Sequence, residues 1–134
     1  MTQAPDHPRR KLIAAVLAER PEAVVDVAIA LWNRLAPELI AIVGEGGFRP
    51  LYARSVRLAA GRFPWLSPEL AMPAHSDSFS QLRAQLCVRT PAEAHLASQD
   101  LFNVFFDLLA SLIGESLTNQ ILSFAWSPLA PEIP

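Results

Sequence analysis

The stretch Thr90–Ile113, with the sequence TPAEAHLASQDLFNVFFDLLASLI, decides the fold of this chain. It opens with a threonine, a proline and a glutamate at the N-cap, N1 and N3 positions of a helix, where all three residue types suit the first turn. Apolar residues then recur every three or four positions, which is the helical period. The stretch therefore predicts a long helix that reaches at least Ile113 and could extend to Trp126.

Two apolar stripes run along this predicted helix beside a narrow polar strip. The first stripe consists of Leu101, Phe105, Leu108 and Leu112, and the second of Phe102, Phe106, Leu109 and Ile113. A helix that is apolar over half its circumference needs neighbours on two sides. Either both stripes pack in the core of a monomer, or one of them meets a partner helix. Seven phenylalanines and three tryptophans are more large apolar side chains than so small a core needs. We therefore predict a homodimer formed through the eight residues of the two stripes.

Prolines and glycines delimit the other helices. We expect them over residues 9–19, from Pro21 to a stop or kink at Pro37, from about Arg49 to Arg62, and over residues 79–88. At Gly114 the first stripe ends, whereas the second continues through residues 117, 121 and 124, so this glycine predicts close packing of another helix or a bend. The sequence thus predicts an all-α fold, a compact bundle of five or six helices without a sheet. We place it in one domain, 9–126, between an N-terminal arm, 1–8, and a proline-rich tail, 127–134.

Composition narrows the class of protein. The chain has 134 residues, of which 51% are hydrophobic and 18% charged, which suffices for one domain with a core. Alanine and leucine together number 40, against 18 valines, isoleucines and threonines, a balance typical of helices. We find no repeat and a single cysteine, which excludes fibrous and disulfide-rich proteins. We expect neither a secretory signal nor a membrane span, since the longest charge-free run, Ser116–Pro131, contains several polar residues.

Charge is distributed unevenly along the chain. Residues 1–62 carry nine basic and six acidic side chains, whereas residues 63–134 carry two and seven. This difference could steer a partner or order self-association, or it could be neutralised inside the monomer. Arg54 and Arg57 lie opposite the apolar face of one predicted helix, and Arg49 lies near its start, where backbone N–H groups favour anions. We predict that these three arginines receive an acidic patch of a partner protein or of a second copy, and we expect no nucleic acid because the protein is net acidic.

The sequence contains no motif that assigns a reaction. The glycines at 44, 46 and 47 follow a short apolar run, but the third glycine of a dinucleotide loop is missing and a proline follows. The histidines, Met72 and Cys87 have no metal-ligand spacing, and Cys87 is expected to be a buried, inert thiol. We therefore expect no enzyme, no metal site and no cofactor.

The function that these features favour is a non-enzymatic regulatory or protein-interaction module. We predict that it self-associates and acts in a bacterial-type cytoplasm. The abundance of arginine, alanine and proline is typical of a GC-rich genome. The alternative is a small helical pocket protein that lines a site for an apolar ligand or haem with its phenylalanines and tryptophans.

Overall fold

The computed structural model describes residues 8–66 and 79–126. Within them lie six α-helices and no strand, so the predicted all-α bundle is confirmed. The helices are α1 (Pro8–Ala18), α2 (Val24–Val43), α3 (Glu45–Ala59), α4 (Ser80–Cys87), α5 (Pro91–Ile113) and α6 (Glu115–Trp126), and a 3₁₀ turn (Pro21–Ala23) precedes α2. The predicted arm and tail lie outside the described residues, except that Pro8 already begins α1.

Local signals explain where α5 begins. The hydroxyl oxygen of Thr90 accepts a hydrogen bond from the backbone N–H of Glu93 at 3.1 Å. The carboxylate of Glu93 accepts in return from the backbone N–H of Thr90 at 3.4 Å. This reciprocal pair satisfies two of the donors that a helix start leaves unpaired. The predicted start of the long helix is confirmed.

Of the two outcomes predicted at Pro37, a stop and a kink, the structure rules out the stop. Helix α2 continues through Pro37 to Val43 instead of stopping there. Leu35 and Leu39, one turn apart on either side of this proline, are both fully buried. They can share one core face only if the helix is unbroken between them. Helix α3 likewise contains Pro50 and begins at Glu45, before the predicted start at Arg49.

Two glycines end the long helices in the same way. Gly44 has φ 77° and ψ 165°, and Gly114 has φ 96° and ψ 155°. Each donates its backbone N–H to the carbonyl four residues earlier, at 2.8 Å, and the next helix begins at the following glutamate. This backbone conformation is essentially restricted to glycine. The long helix therefore ends at Ile113, and the close-packing interpretation of Gly114 is wrong, because a Cβ built there meets nothing within 4 Å.

The two corners belong to an internal repeat that the sequence analysis missed. Between residues 21–56 and residues 91–126, positions 70 residues apart are identical in six pairs: Pro21 and Pro91, Leu31 and Leu101, Asn33 and Asn103, Leu39 and Leu109, Gly44 and Gly114, and Glu45 and Glu115. Burial follows the same spacing: the five buried residues of α6 each lie 70 positions after a buried residue of α3. The α2–α3 and α5–α6 pairs are therefore equivalent units.

Helices α3 and α6 each pack on both long helices, α2 and α5, and each has its larger contact with the long helix of the other unit. This larger contact joins α3 to α5 and α6 to α2. The short helices follow the same rule, since α1 packs on α5 and α4 on α2. At the centre the rings of Trp32 and Phe102, which occupy equivalent positions, stack with centroids 4.4 Å apart. The bundle thus has the pairing pattern of a twofold arrangement within one chain.

The phenylalanines of helix α5 lie inside the bundle. Its residues Phe102, Phe105 and Phe106 are fully buried. By length and composition alone α5 is also the one described helix that could cross a membrane, a criterion that the core helix of a bundle meets as well.

Candidate interaction surfaces

Three arginines are paired with carboxylates of the opposite part of the chain. Arg62 binds Asp100 through two hydrogen bonds of 2.9 Å, a bidentate geometry. Arg83 binds Asp26 at 2.6 Å, and Arg10 of α1 is paired with Asp107. Part of the charge difference between the two parts of the chain is therefore neutralised within the monomer, which is one of the two outcomes that the sequence left open.

The exposed side of α3 presents the arginines that the sequence singled out. The opposite side of this helix is anchored in the core by Phe48, Leu51, Tyr52, Ser55, Val56 and Ala59. Arg54 and Arg57 are exposed one turn apart and form no ion pair with any described residue. Arg49 approaches Glu45 at 3.9 Å, a loose exposed pair within one helix. We call Arg49, Arg54 and Arg57 the α3 arginine face.

One detail of the arginine prediction is wrong. Arg49 was expected near the start of its helix, beside free backbone N–H groups. Because α3 begins at Glu45, the backbone around Arg49 lies inside the helix. The α3 arginine face therefore presents guanidinium groups and not the free backbone N–H groups of a helix start.

Most residues of the predicted dimer face lie inside the monomer. Five of the eight are 0–1% exposed: Leu101, Phe102, Phe105, Phe106 and Leu109. Leu108 and Ile113 are half-buried, and only Leu112 is well exposed, at 69%. Most residues of both stripes are covered because α5 packs against α1, α2, α3 and α6. Five of the eight residues predicted for the dimer face therefore belong to the core of a single chain, and this part of the prediction is wrong. That the protein forms a homodimer stays a prediction.

An exposed apolar surface occurs instead on α6, which the sequence analysis treated as a continuation of the second stripe. Ile121 of that stripe is buried, whereas Phe124 is 69% exposed and Leu117 37%. The corner at Gly114 changes the direction of the chain, so the stripe does not continue on one side. We call the exposed residues Ser116, Leu117, Gln120 and Phe124 the α6 face. The signal in the sequence that could have revealed the α6 face is Gly114, because a glycine at this point can end one helix before the next begins.

The aromatic side chains that the pocket alternative would need as a lining contact one another. The ring of Trp32, for example, contacts four other rings, those of Tyr52, Phe79, Phe102 and Phe105. Trp126 packs edge-on against Phe102 and donates its indole N–H to the carbonyl of Leu31 at 3.1 Å. These rings therefore fill the centre of the bundle with each other.

The other chemical candidates are dispersed. No group of three His, Cys, Asp or Glu residues in the described ranges could hold a metal ion. His95 is half-buried on α5, and His7, Met72 and His75 lie outside the described residues. Cys87 is exposed at the end of α4, so the expectation of a buried thiol is wrong.

Comparison with known proteins finds no matching family model, no matching curated protein and no matching solved structure.

Proposed function

We propose that this protein is a non-enzymatic interaction module that binds an acidic segment of a partner protein through the α3 arginine face. The observation that carries the proposal is a contrast between arginines. Arg10, Arg62 and Arg83 each have a carboxylate partner, whereas Arg54 and Arg57 have none among the described residues. Exposed guanidinium groups held one turn apart on a firmly packed helix are preorganised for carboxylates.

The chemistry of this face suits binding rather than a reaction. Guanidinium groups stay protonated and present planar donors, so they orient and attract carboxylates but do not transfer protons at neutral pH. Attraction of this kind acts over about 8 Å at physiological ionic strength and mainly raises the association rate. A regulatory role in a bacterial-type cytoplasm is part of the same proposal, because weak, fast and salt-sensitive contacts are suited to reversible regulation.

A charge-reversal experiment tests the proposal. The probe is a fluorescently labelled oligoglutamate peptide, and its binding is measured by fluorescence anisotropy at low and at physiological salt. We expect the variant Arg54→Glu/Arg57→Glu to bind about tenfold more weakly at low salt, since each exposed ion pair contributes about 0.2–1 kcal/mol and reversal adds repulsion. We expect its melting temperature to match that of the wild type, because both side chains are exposed.

The matched control is Arg20→Glu/Arg34→Glu, which makes the same change of net charge at two exposed arginines outside α3. This variant should retain most of the binding. Equal loss in both variants would mean that the peptide senses only net charge, which contradicts a defined α3 site. Tighter binding of a single-stranded DNA oligonucleotide than of the peptide, lost in the α3 variant, would replace the acidic protein partner with nucleic acid.

A further inference from the structure

One large apolar side chain lies beside the α3 arginine face. Leu58 is 43% exposed, whereas Leu51, the other leucine of this helix, is buried. Leu58 lies four positions after Arg54 and next to Arg57, so these three exposed residues are neighbours on the surface of α3. A single exposed leucine needs no explanation on its own. This one, however, borders two guanidinium groups that form no ion pair with any described residue.

The surroundings of Leu58 leave its side chain open and its backbone fixed. Gly61, three positions later, is exposed and has no side chain that could cover the leucine. The backbone N–H of Gly61 donates to the carbonyl of Leu58 at 3.1 Å. One turn earlier, the buried hydroxyl of Ser55 donates to the carbonyl of Leu51 at 2.8 Å. The leucine and the two arginines beside it are therefore presented by an ordered helix, so a partner has little backbone ordering to drive on binding.

The charges next to Leu58 determine what can cover it. The only acidic residue of α3 is Glu45, more than two turns before Arg54. A purely apolar partner would take Arg54 and Arg57 out of water without carboxylates, and the cost of unpaired charges exceeds the gain from one leucine. A purely acidic partner would pair with both arginines but leave Leu58 in water. A segment in which carboxylates flank one large apolar residue matches all three side chains.

We infer, resting on the proposed function of the α3 arginine face, that its acidic partner segment carries a large apolar residue that packs on Leu58. The two kinds of contact act differently. The carboxylates raise the association rate and their effect weakens with salt, whereas the apolar contact is not screened and slows dissociation. Leu58 thus gives the surface a means to select among acidic segments that charge alone does not provide.

The test compares two fluorescently labelled peptides of equal length and charge, EEELEEE and EEESEEE, by fluorescence anisotropy at low and at physiological salt. We expect the wild type to bind the leucine peptide about fivefold more tightly, because the contact removes about half of one leucine from water on each side. Both affinities should fall as salt rises, while their ratio should persist.

Variants at exposed leucines locate the contact. Leu58→Ser should bind the two peptides equally, whereas Leu58→Met keeps an apolar side chain and should retain the preference for the leucine peptide. The matched control is Leu96→Ser, the same change at a leucine of α5 that is 56% exposed, which should also retain it. Thermal unfolding should show that all three variants stay folded.

The outcomes separate this inference from the proposed function. Equal binding of the two peptides by the wild type overturns the contact with Leu58 but leaves the arginine site in place. A preference that Leu58→Ser retains, or that Leu96→Ser alone abolishes, overturns it as well. Binding of neither peptide by the wild type would overturn the proposed function itself, and the inference with it.

Discussion

The two repeat units agree on their inner surface and differ on their outer surface. Trp32 and Phe102 stack on each other at the centre, and buried residues recur in register along α2–α3 and α5–α6. On the outside, Arg54 in one unit is replaced by Phe124 in the other. Packing constrains an inner position because any change of volume is felt by several neighbours. An outer position has no such constraint, and the two units could acquire separate binding chemistry without a change of fold.

The largest expected effect separates inner from outer phenylalanines. Phe105→Asp places a carboxylate in a fully buried site without a partner, and we expect it to cost about 4 kcal/mol or more and to prevent stable folding. Phe124→Asp changes an exposed residue and should cost less than about 1 kcal/mol. Circular dichroism during thermal unfolding measures both. A Phe105→Asp variant that folds with the stability of the wild type would contradict the burial of this side chain in the core.

The two glycine corners provide the next comparison. Gly44→Ala and Gly114→Ala each force a Cβ into a backbone conformation with positive φ, and we expect each to lower the free energy of unfolding by about 1–3 kcal/mol. Neither site is crowded, so the backbone alone causes the loss. The control is Gly46→Ala, a helical position with open space around it, where alanine should stabilise by about 0.5–1 kcal/mol.

Urea unfolding of these three variants measures the change in the free energy of unfolding at each glycine. Similar losses at Gly44 and Gly114 are expected if the corners are equivalent. A gain in stability on Gly114→Ala would contradict the strained conformation at that corner. A loss at only one corner would show that the two units are not equivalent in solution.

The smallest expected change in stability concerns a buried position at which the two repeat units have different residues. Tyr52 lies where the second unit has Leu122, and both side chains are buried. The Tyr52 hydroxyl has no hydrogen-bond partner among the described residues. Removing it in Tyr52→Phe relieves a buried, unpaired polar group, so we expect a gain of about 1 kcal/mol in the free energy of unfolding.

Alkaline titration checks the same site independently. Burial raises the pKa of Tyr52 well above its usual value. The folded state therefore holds the phenol proton more tightly than the unfolded state does, and stability falls as the pH rises above about 10. Tyr52 is the only tyrosine in the chain, so tyrosinate absorbance should appear together with unfolding. Absorbance that appears in the folded protein near pH 10 would contradict the burial, and Tyr52→Phe should lose less stability over this range.

The candidate surfaces were only partly accessible to sequence reasoning. The outward position of Arg54 and Arg57 follows from the helical period, because the apolar residues of α3 select the opposite side. Their lack of an ion partner does not follow, since Arg62 has the same chemistry and is paired with Asp100, 38 residues away in the chain. Such pairings depend on how helices are placed in space, which no local pattern contains.

The sequence by itself determined the all-α class and the start of α5, whereas a stop at Pro37 and a helix start at Arg49 were wrong. Helix-forming composition, the capping box at Thr90 and the glycines at 44 and 114 act through hydrogen bonds and backbone angles within a few residues, so they can be inferred from a short window. Only the tertiary structure decided which apolar residues are inside. Both stripes of α5 are equally hydrophobic in sequence, and most of their residues are buried because α3 and α6 both pack against α5 around the Trp32–Phe102 stack. Burial depends on neighbours that are distant in the chain, and for this reason the exposed Phe124 and the buried Phe105 look alike until the helices are assembled.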